Sequence, residues 1–428
     1  MTQKQTQRPR SRMWPKLLSI ALGTAALLTV FGIVRAPGEA FRASLSGLQI
    51  WWQYVFPGLI PPLVLAELLA ASGLLHGLSM LAEPLTRRLF RLPGASGWAI
   101  AFGWSTGVPA GAKEAARLRG SGLIREEDTD TLLLVSHMPN PFLVIVIVGS
   151  GFLQSPALGW AIALGLWLSA AAAGIVWSRL AKSRTVKTPP LPVNQPRALM
   201  RRALRAAADA RKEDGRPFGK QMADAVSHSI ATLMVIGGLM MLSAVALQLI
   251  RASYPGTDVW LAIPGVYEMH LGAYETGHSM LFASAPVHAA SLLAAALAWT
   301  GWSGLLQARA AFGTEGSFPW GRVIGGRLLH SALAMLFTWP LAQAVSGSGW
   351  LARFFDRLSP SSVEAVEAFS TGSQISLIPD AWRHIPEMWL AGLLSFGVFL
   401  LLALLAALIR PARKQHKQPP RPPSDHTK

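Results

Sequence analysis

Six residues, S-H-M-P-N-P at 136–141, interrupt an apolar run from Thr131 to Leu153. Each proline removes a backbone donor and clashes with the preceding helical turn. A membrane helix broken there frees backbone groups and exposes half-helix ends, from which transporters build solute sites. Asn140, fixed between Pro139 and Pro141, offers both a donor and an acceptor and is a candidate substrate contact. The bland alternative is a structural kink.

Other residues have chemistry in unexpected places. In G-W-S-T-G-V-P-A-G-A-K (103–113), Ser105 and Thr106 lie beside Gly103 and Gly107. Glycine lets backbone approach a ligand, and hydroxyls bond carboxylate oxygens; local turn bonding is the competing role. Lys113 would draw an anion from the cytoplasm or simply anchor the chain, as Arg117 and Arg119 suggest. Glu268 in Y-E-M-H (267–270) is an acid inside an apolar stretch. Such a residue is a functional candidate by default: a proton carrier, a coupling-cation ligand or a partner for His270. In W-T-G-W-S-G-L-L-Q (299–307), Gly301 and Gly304 weaken a helix. Ser303 and Gln307 there are the counterparts of Asn140. Trp104 and Trp302 suit packing or interface anchoring first, and His228 and His330 read as packing residues.

The elements that must carry these residues are membrane helices. The chain of 428 residues is 51% apolar and only 14% charged, against about 25% charged in soluble domains. Several apolar runs approach the roughly 20 residues a bilayer requires. Cysteine is absent, which removes disulfides, thiolate catalysis and cysteine metal sites. The net charge of +17 is concentrated in 1–16, 181–220 and 410–428, which hold 22 of the 39 basic residues. Each flanks an apolar span, as the positive-inside rule requires. The charge therefore reports topology and contact with anionic lipid, and no nucleic-acid partner is expected.

Spans are predicted at 16–35, 51–75, 131–153, 156–180, 221–250, 285–308, 325–346 and 388–409. The first is read as uncleaved, since no small-x-small cleavage site follows it. Both termini and the 181–220 loop then face the cytoplasm. Two short Gly/Pro-bearing stretches, 95–112 and 259–275, fit re-entrant hairpins, because irregular backbone at membrane depth must be buried in protein or line a cavity. The order of span, hairpin and two spans occurs twice with opposite orientation, which points to a secondary transporter. The fold class is thus an all-α polytopic membrane protein with about eight transmembrane helices, two re-entrant hairpins and two inverted repeats. The expected division is 1–46 (N-terminus and first helix), 47–180 (first half), 181–220 (basic loop), 221–346 (second half), 347–386 (outer loop), 387–410 (last helix) and 411–428 (a disordered basic tail). Residues 197–213 read as a basic amphipathic helix lying on lipid.

The strings at 103–113, R-L-R-G-S-G-L-I (117–124) and S-H-M-P-N-P-F resemble the YlbJ/SpoVV sporulation integral membrane proteins, which carry the nucleoside-recognition or Gate domain. S-I-A-T-L-M-V-I-G-G-L-M-M-L-S (229–243), Y-E-M-H-L-G (267–272) and G-W-S-G-L-L-Q-A (301–308) extend the resemblance over about 55–346. It departs from the pattern at Val108, where an aromatic is expected, and at His137 and Met138, where small polar residues are expected. The resemblance implies Gate-type halves, a role in endospore formation, and transport of dipicolinic acid across the outer forespore membrane.

The expected ligand is a small anionic or polar solute, with the lipid bilayer as the other contact; a homo-oligomer or a sporulation partner protein stays open. Nucleosides are the alternative solute. A scaffold working through the basic loop is a second class. A serine protease built on G-W-S-G (301–304) with His330 is a third, weakened because G-A-S-G (94–97) matches the same short pattern. No H-E-x-x-H and no P-loop occurs. The expectation is a non-enzyme with no catalytic residue, metal or cofactor.

Overall fold

The computed structural model describes residues 13–180, 196–253, 264–313, 317–347 and 349–358. Every regular element among them is a helix: α1 (Met13–Arg35), α2 (Pro37–Ala71), α3 (Leu74–Leu89), α4 (Ser96–Thr106), α5 (Ala110–Gly120), α6 (Thr129–Ser136), α7 (Leu143–Phe152), α8 (Pro156–Leu180), α9 (Pro196–Asp214), α10 (Phe218–Ser253), α11 (Met269–Gly277), α12 (Met280–Ser284), α13 (Pro286–Trp299), α14 (Gly301–Ala311), α15 (Trp320–Val345) and α16 (Trp350–Leu358), with short 3-10 turns. Among the described residues, α2, α8, α10, the 286–311 run of α13 and α14, and α15 are long and apolar enough to cross a membrane. Leu65, Leu168, Val235, Leu306 and Leu336 stand well exposed on their outer faces. So much exposed apolar surface suits lipid contact.

Several expected boundaries shift. The span expected at 51–75 starts at Pro37 and runs across the expected 46/47 division. It passes through a π-helical turn at Trp51–Val55, just ahead of Pro57, Pro61 and Pro62; a widened turn and prolines that cannot donate go together. Gly73, at φ +81, ends the helix. The span expected at 131–153 is two helices, α6 and α7, separated by His137–Asn140. The stretch expected as a hairpin at 95–112 is a helix pair extending to Gly120, turned at Gly107–Pro109. At 11 residues each, its arms are about 16 Å long, half a bilayer core. The last span, most of the outer loop, the basic tail and the first part of the 259–275 stretch lie outside the described residues.

Small residues set the packing, as they do between membrane helices generally. The indole of Trp51 lies on Gly237 of α10 and donates to the Leu233 carbonyl at 2.9 Å. Gly47 meets the α10 backbone at Met241. Gly165 of α8 faces Thr338 of α15. The basic helix α9, expected to lie on lipid, packs along α3: Gly73 and Gly77 meet Ala207 and Ala203, and Arg202 reaches the buried Glu83 at 3.6 Å. Arg216 then ties α9 to α10, bonding Asp214 and Asp224 at 2.6 Å each. Its guanidinium holds the Asp214 carboxyl well below the usual carboxylate range.

The turned pair is packed backbone to backbone against the end of α6. A Cβ on Gly103 or on Gly111 would sit 2.1 Å from the Ser136 carbonyl oxygen. Backbone cannot yield as a flexible side chain can. Gly111→Ala is expected to destabilise the detergent-solubilised protein by about 1–3 kcal/mol, the range for overpacking, seen as a lowered Tm. Gly120→Ala, with nothing within 4 Å of the added carbon, is the control expected to melt as the parent does.

Candidate functional site

Two helices stop inside the protein. The first is α6, whose residues are all buried, as are His137, Met138 and Asn140 after it. The prolines end it, as their sequence position requires. The chain restarts because the Asn140 carboxamide oxygen accepts from Leu143 N at 2.7 Å and caps α7. The second is α13. It ends at Thr300 and Gly301, both left-handed at φ +68 and +70. Gly301 adopts this freely, but Thr300 is β-branched and fully buried, so its backbone is strained. The break therefore sits at 300–301, at the first of the two glycines expected to weaken this element, and α14 runs unbroken through Gly304.

One side chain joins the two ends. Arg327 of α15 is 1% exposed. Its guanidinium donates to the Leu133 carbonyl at 2.8 Å and to the His137 carbonyl, at the end of α6, and to the Ala298 carbonyl at 3.3 Å, at the end of α13. No carboxylate pairs with it among the described residues. Two helix C-termini, roughly −0.5 charge each, supply the compensating field instead. His137 adds a second link: its Nε2 lies 3.1 Å from the Gly304 carbonyl in α14. A carbonyl accepts only, so the proton is on Nε2, and Nδ1 has no partner. Arg327 Nε and His330 Nδ1 are likewise buried and unpartnered.

The sequence candidates fall into three groups. Thr106 and Asn140 come together: the Asn140 amide donates to the Thr106 carbonyl at 3.1 Å, and Gly107 at φ +84 packs on Asn140. Both line a narrow cavity with His270 of α11 and Thr232 of α10. Glu268 and Ser303 lie at the second break: Ser303 N donates to the Tyr267 carbonyl at 3.0 Å, and Gly301 packs on Tyr267 and Glu268. The buried Glu268 carboxylate caps α11 by accepting from Leu271 N at 2.7 Å and holds His270 at 2.7 Å. The remaining three are apart. Ser105 bonds the Ala101 carbonyl within its own helix, Lys113 is exposed, and the Gln307 oxygen is buried without a partner. Ser303 and His330 share no hydrogen bond; His330 Nε2 faces the Leu166 carbonyl at 3.2 Å.

Into the cavity at Asn140 a water-sized sphere's centre has about 10 Å³ of access, which is about one water. The site is closed to a solute in this conformation. A larger cavity lies between α2, α10 and α11, lined by Arg42, Arg251, Glu39 and Glu275.

Sequence reasoning missed Arg327 and Glu67. Both were visible as ionisable residues inside apolar spans. Arg327 sits near the end of its run, where a cation ordinarily snorkels to the surface.

The chain is 34% identical over 235 residues to the sporulation integral membrane protein YlbJ of Bacillus subtilis (strain 168). The alignment takes in 54% of this chain and 56% of that protein, so the chain spans about half the length of the curated relative it matches. No protein-family profile matches the chain, and no solved structure matches it.

Removing Arg327 takes a donor from the buried His137 and Ala298 carbonyls, each worth about 1–3 kcal/mol, while the Leu133 carbonyl keeps His137 N at 3.1 Å. Arg327→Met is expected to cost several kcal/mol and to lower the folded yield in detergent. Arg327→Lys, which keeps the charge but not the fork, is expected to fall between. Size-exclusion profiles and thermal melts of the three proteins check this.

Proposed function

We propose, from the membership of the YlbJ family that the 34% identity supports, that this chain is a sporulation membrane protein acting as a carrier for a small anionic solute. A membrane protein of a sporulation family and a helical bundle with apolar spans are consistent with each other. Transport and solute are our reading. The observation that carries it is the pair of helices broken within the protein and joined by Arg327 and His137. Breaks of this kind are what discontinuous helices provide in secondary transporters. A simple anchor has no use for two interrupted spans around an arginine buried without a carboxylate.

In this reading the two halves are inverted Gate-type repeats, α2 to α8 and α10 to α15. The turned pair α4–α5 enters the membrane part way and returns. The solute passes near Asn140, Thr106 and His270, where the halves meet, and the halves must rock apart to admit it. The buried Arg327 guanidinium adds a positive field that suits an aromatic dicarboxylate such as dipicolinate, the solute implied by the family resemblance. By the same reading the setting is the outer forespore membrane. A scaffold working through a free basic loop is less favoured, because α9 is packed on α3. Serine chemistry is less favoured because Ser303 and His330 share no hydrogen bond.

Uptake of labelled dipicolinate into proteoliposomes, with uridine as comparison, tests this. The expected result is saturable dipicolinate flux. Asn140→Ala is expected to lower it about tenfold, the worth of one lost hydrogen bond to backbone, and Lys113→Ala to raise the half-saturation concentration. Uridine flux alone would overturn the solute. Absence of both fluxes from folded protein would overturn the carrier.

A further inference from the structure

The cavity at Asn140 has a direction. Leu63 of α2 and Thr232 of α10 line it from facing helices. One helical turn along, on the same faces, α2 carries Glu67 and α10 carries His228. The two helices run antiparallel, so both residues lie displaced toward the same side. That side carries α9 and the α5 residues Lys113 and Arg117, and it is the cytoplasmic side under the positive-inside rule. Glu67 is half-buried and, among the described residues, its side chain makes no hydrogen bond or ion pair, whereas nearby acids do: Glu114 binds Arg117 at 2.8 Å and Trp98 at 2.6 Å, and Glu83 binds Arg87 at 2.7 Å.

The charged groups near Glu67 come from α5, α10 and the turn ahead of α10. They are His228 of α10, Glu114 and Lys113 of α5, and Arg216 ahead of α10. Helices α4 and α7, which also pack on α2, have no ionisable side chain. On α3, His76 stacks on Trp98 with ring centres 3.9 Å apart. On α9, Arg202 is turned toward Glu83. The π-helical turn of α2 contributes Tyr54, in contact with Phe152 and Tyr274.

We propose that Glu67 is a proton-binding site at the cytoplasmic mouth of the solute path, and that an anion entering the path brings a proton onto its carboxylate. This rests on the carrier reading. A carboxylate in a low-dielectric passage repels an incoming anion. Taking one proton from water in the cleft turns it into a neutral acid and removes the repulsion. By linkage the anion then raises the proton affinity of Glu67 by the same factor as protonation raises the affinity for the anion. Lys113 offsets part of the negative charge. The carrier would thereby move proton and anion together, and anion affinity would fall as the pH rises through the titration of Glu67.

Dipicolinate binding to the purified full chain, by calorimetry in buffers of different ionisation enthalpy, reads the protons taken up per anion. The parent is expected to take up about one and to lose about tenfold in affinity per pH unit above the titration of the group. Glu67→Gln is expected to take up none and to bind independently of pH. Equal proton uptake in parent and variant, or none in the parent, would overturn the proposal and leave the carrier reading intact. If dipicolinate does not bind at all, the carrier reading for that anion fails, and a parent-minus-Glu67→Gln infrared spectrum decides the proton site. A carboxylic-acid band that titrates in the parent and is missing from Glu67→Gln supports it, and its absence overturns it.

Discussion

The arrangement depends on how a guanidinium is held where water cannot reach it. Burying an unpaired cation in hydrocarbon costs far more than one hydrogen bond returns. Arg327 meets this with carbonyls in place of a carboxylate. The ends of α6 and α13 stop short in the interior, each with orphaned acceptors and the negative end of a helix dipole. Each partner solves the other's problem. Without the arginine, both helix ends would be unsatisfied at membrane depth; without both ends, the arginine would have no counter-field.

The rest of the structure brings these ends within reach of one side chain. Gly103 and Gly111 let the α4–α5 pair press on the carbonyl of Ser136, directly beside the first break. Gly301 lets the second break close on Tyr267 and Glu268. Asn140 and Glu268 then play parallel roles. Each caps the helix that follows it, and each also holds a group of the cavity wall, Thr106 in one case and His270 in the other. Such contacts join rigid pieces at a few points. That is the mechanical requirement for two halves that rock about a fixed centre.

Much of this was legible from the chain, to the extent that its cause was local. Two prolines around one asparagine remove donors two residues apart, so the first interruption could be placed close to Asn140. Thr300 in a left-handed conformation has no sequence signal, because tertiary packing imposes it. The second break could therefore be read only as a helix weakened at Gly301 and Gly304, without choosing between them. Asn140 and Glu268 were found by being polar in apolar stretches, but their amide and carboxylate are turned largely to backbone. Composition cannot distinguish a cap from a ligand contact. Arg327 was hidden by its position near the end of an apolar run. The seat of α9 was hidden because Ala203 and Ala207, which fit against Gly77 and Gly73, look too small to signal a packed face.

The most direct test of the Arg327 tie uses the absence of cysteine, since two introduced thiols can be labelled without competition. Phe142 and Trp302 stand just past the two breaks, 40% and 39% exposed. Spin labels at these positions report the separation of the broken helices by pulsed electron spin resonance. The expected result is one narrow distance distribution with Arg327 present, broadened and displaced by Arg327→Met in protein that remains folded. An unchanged distribution in that folded variant would contradict the claim that this arginine holds the two breaks together.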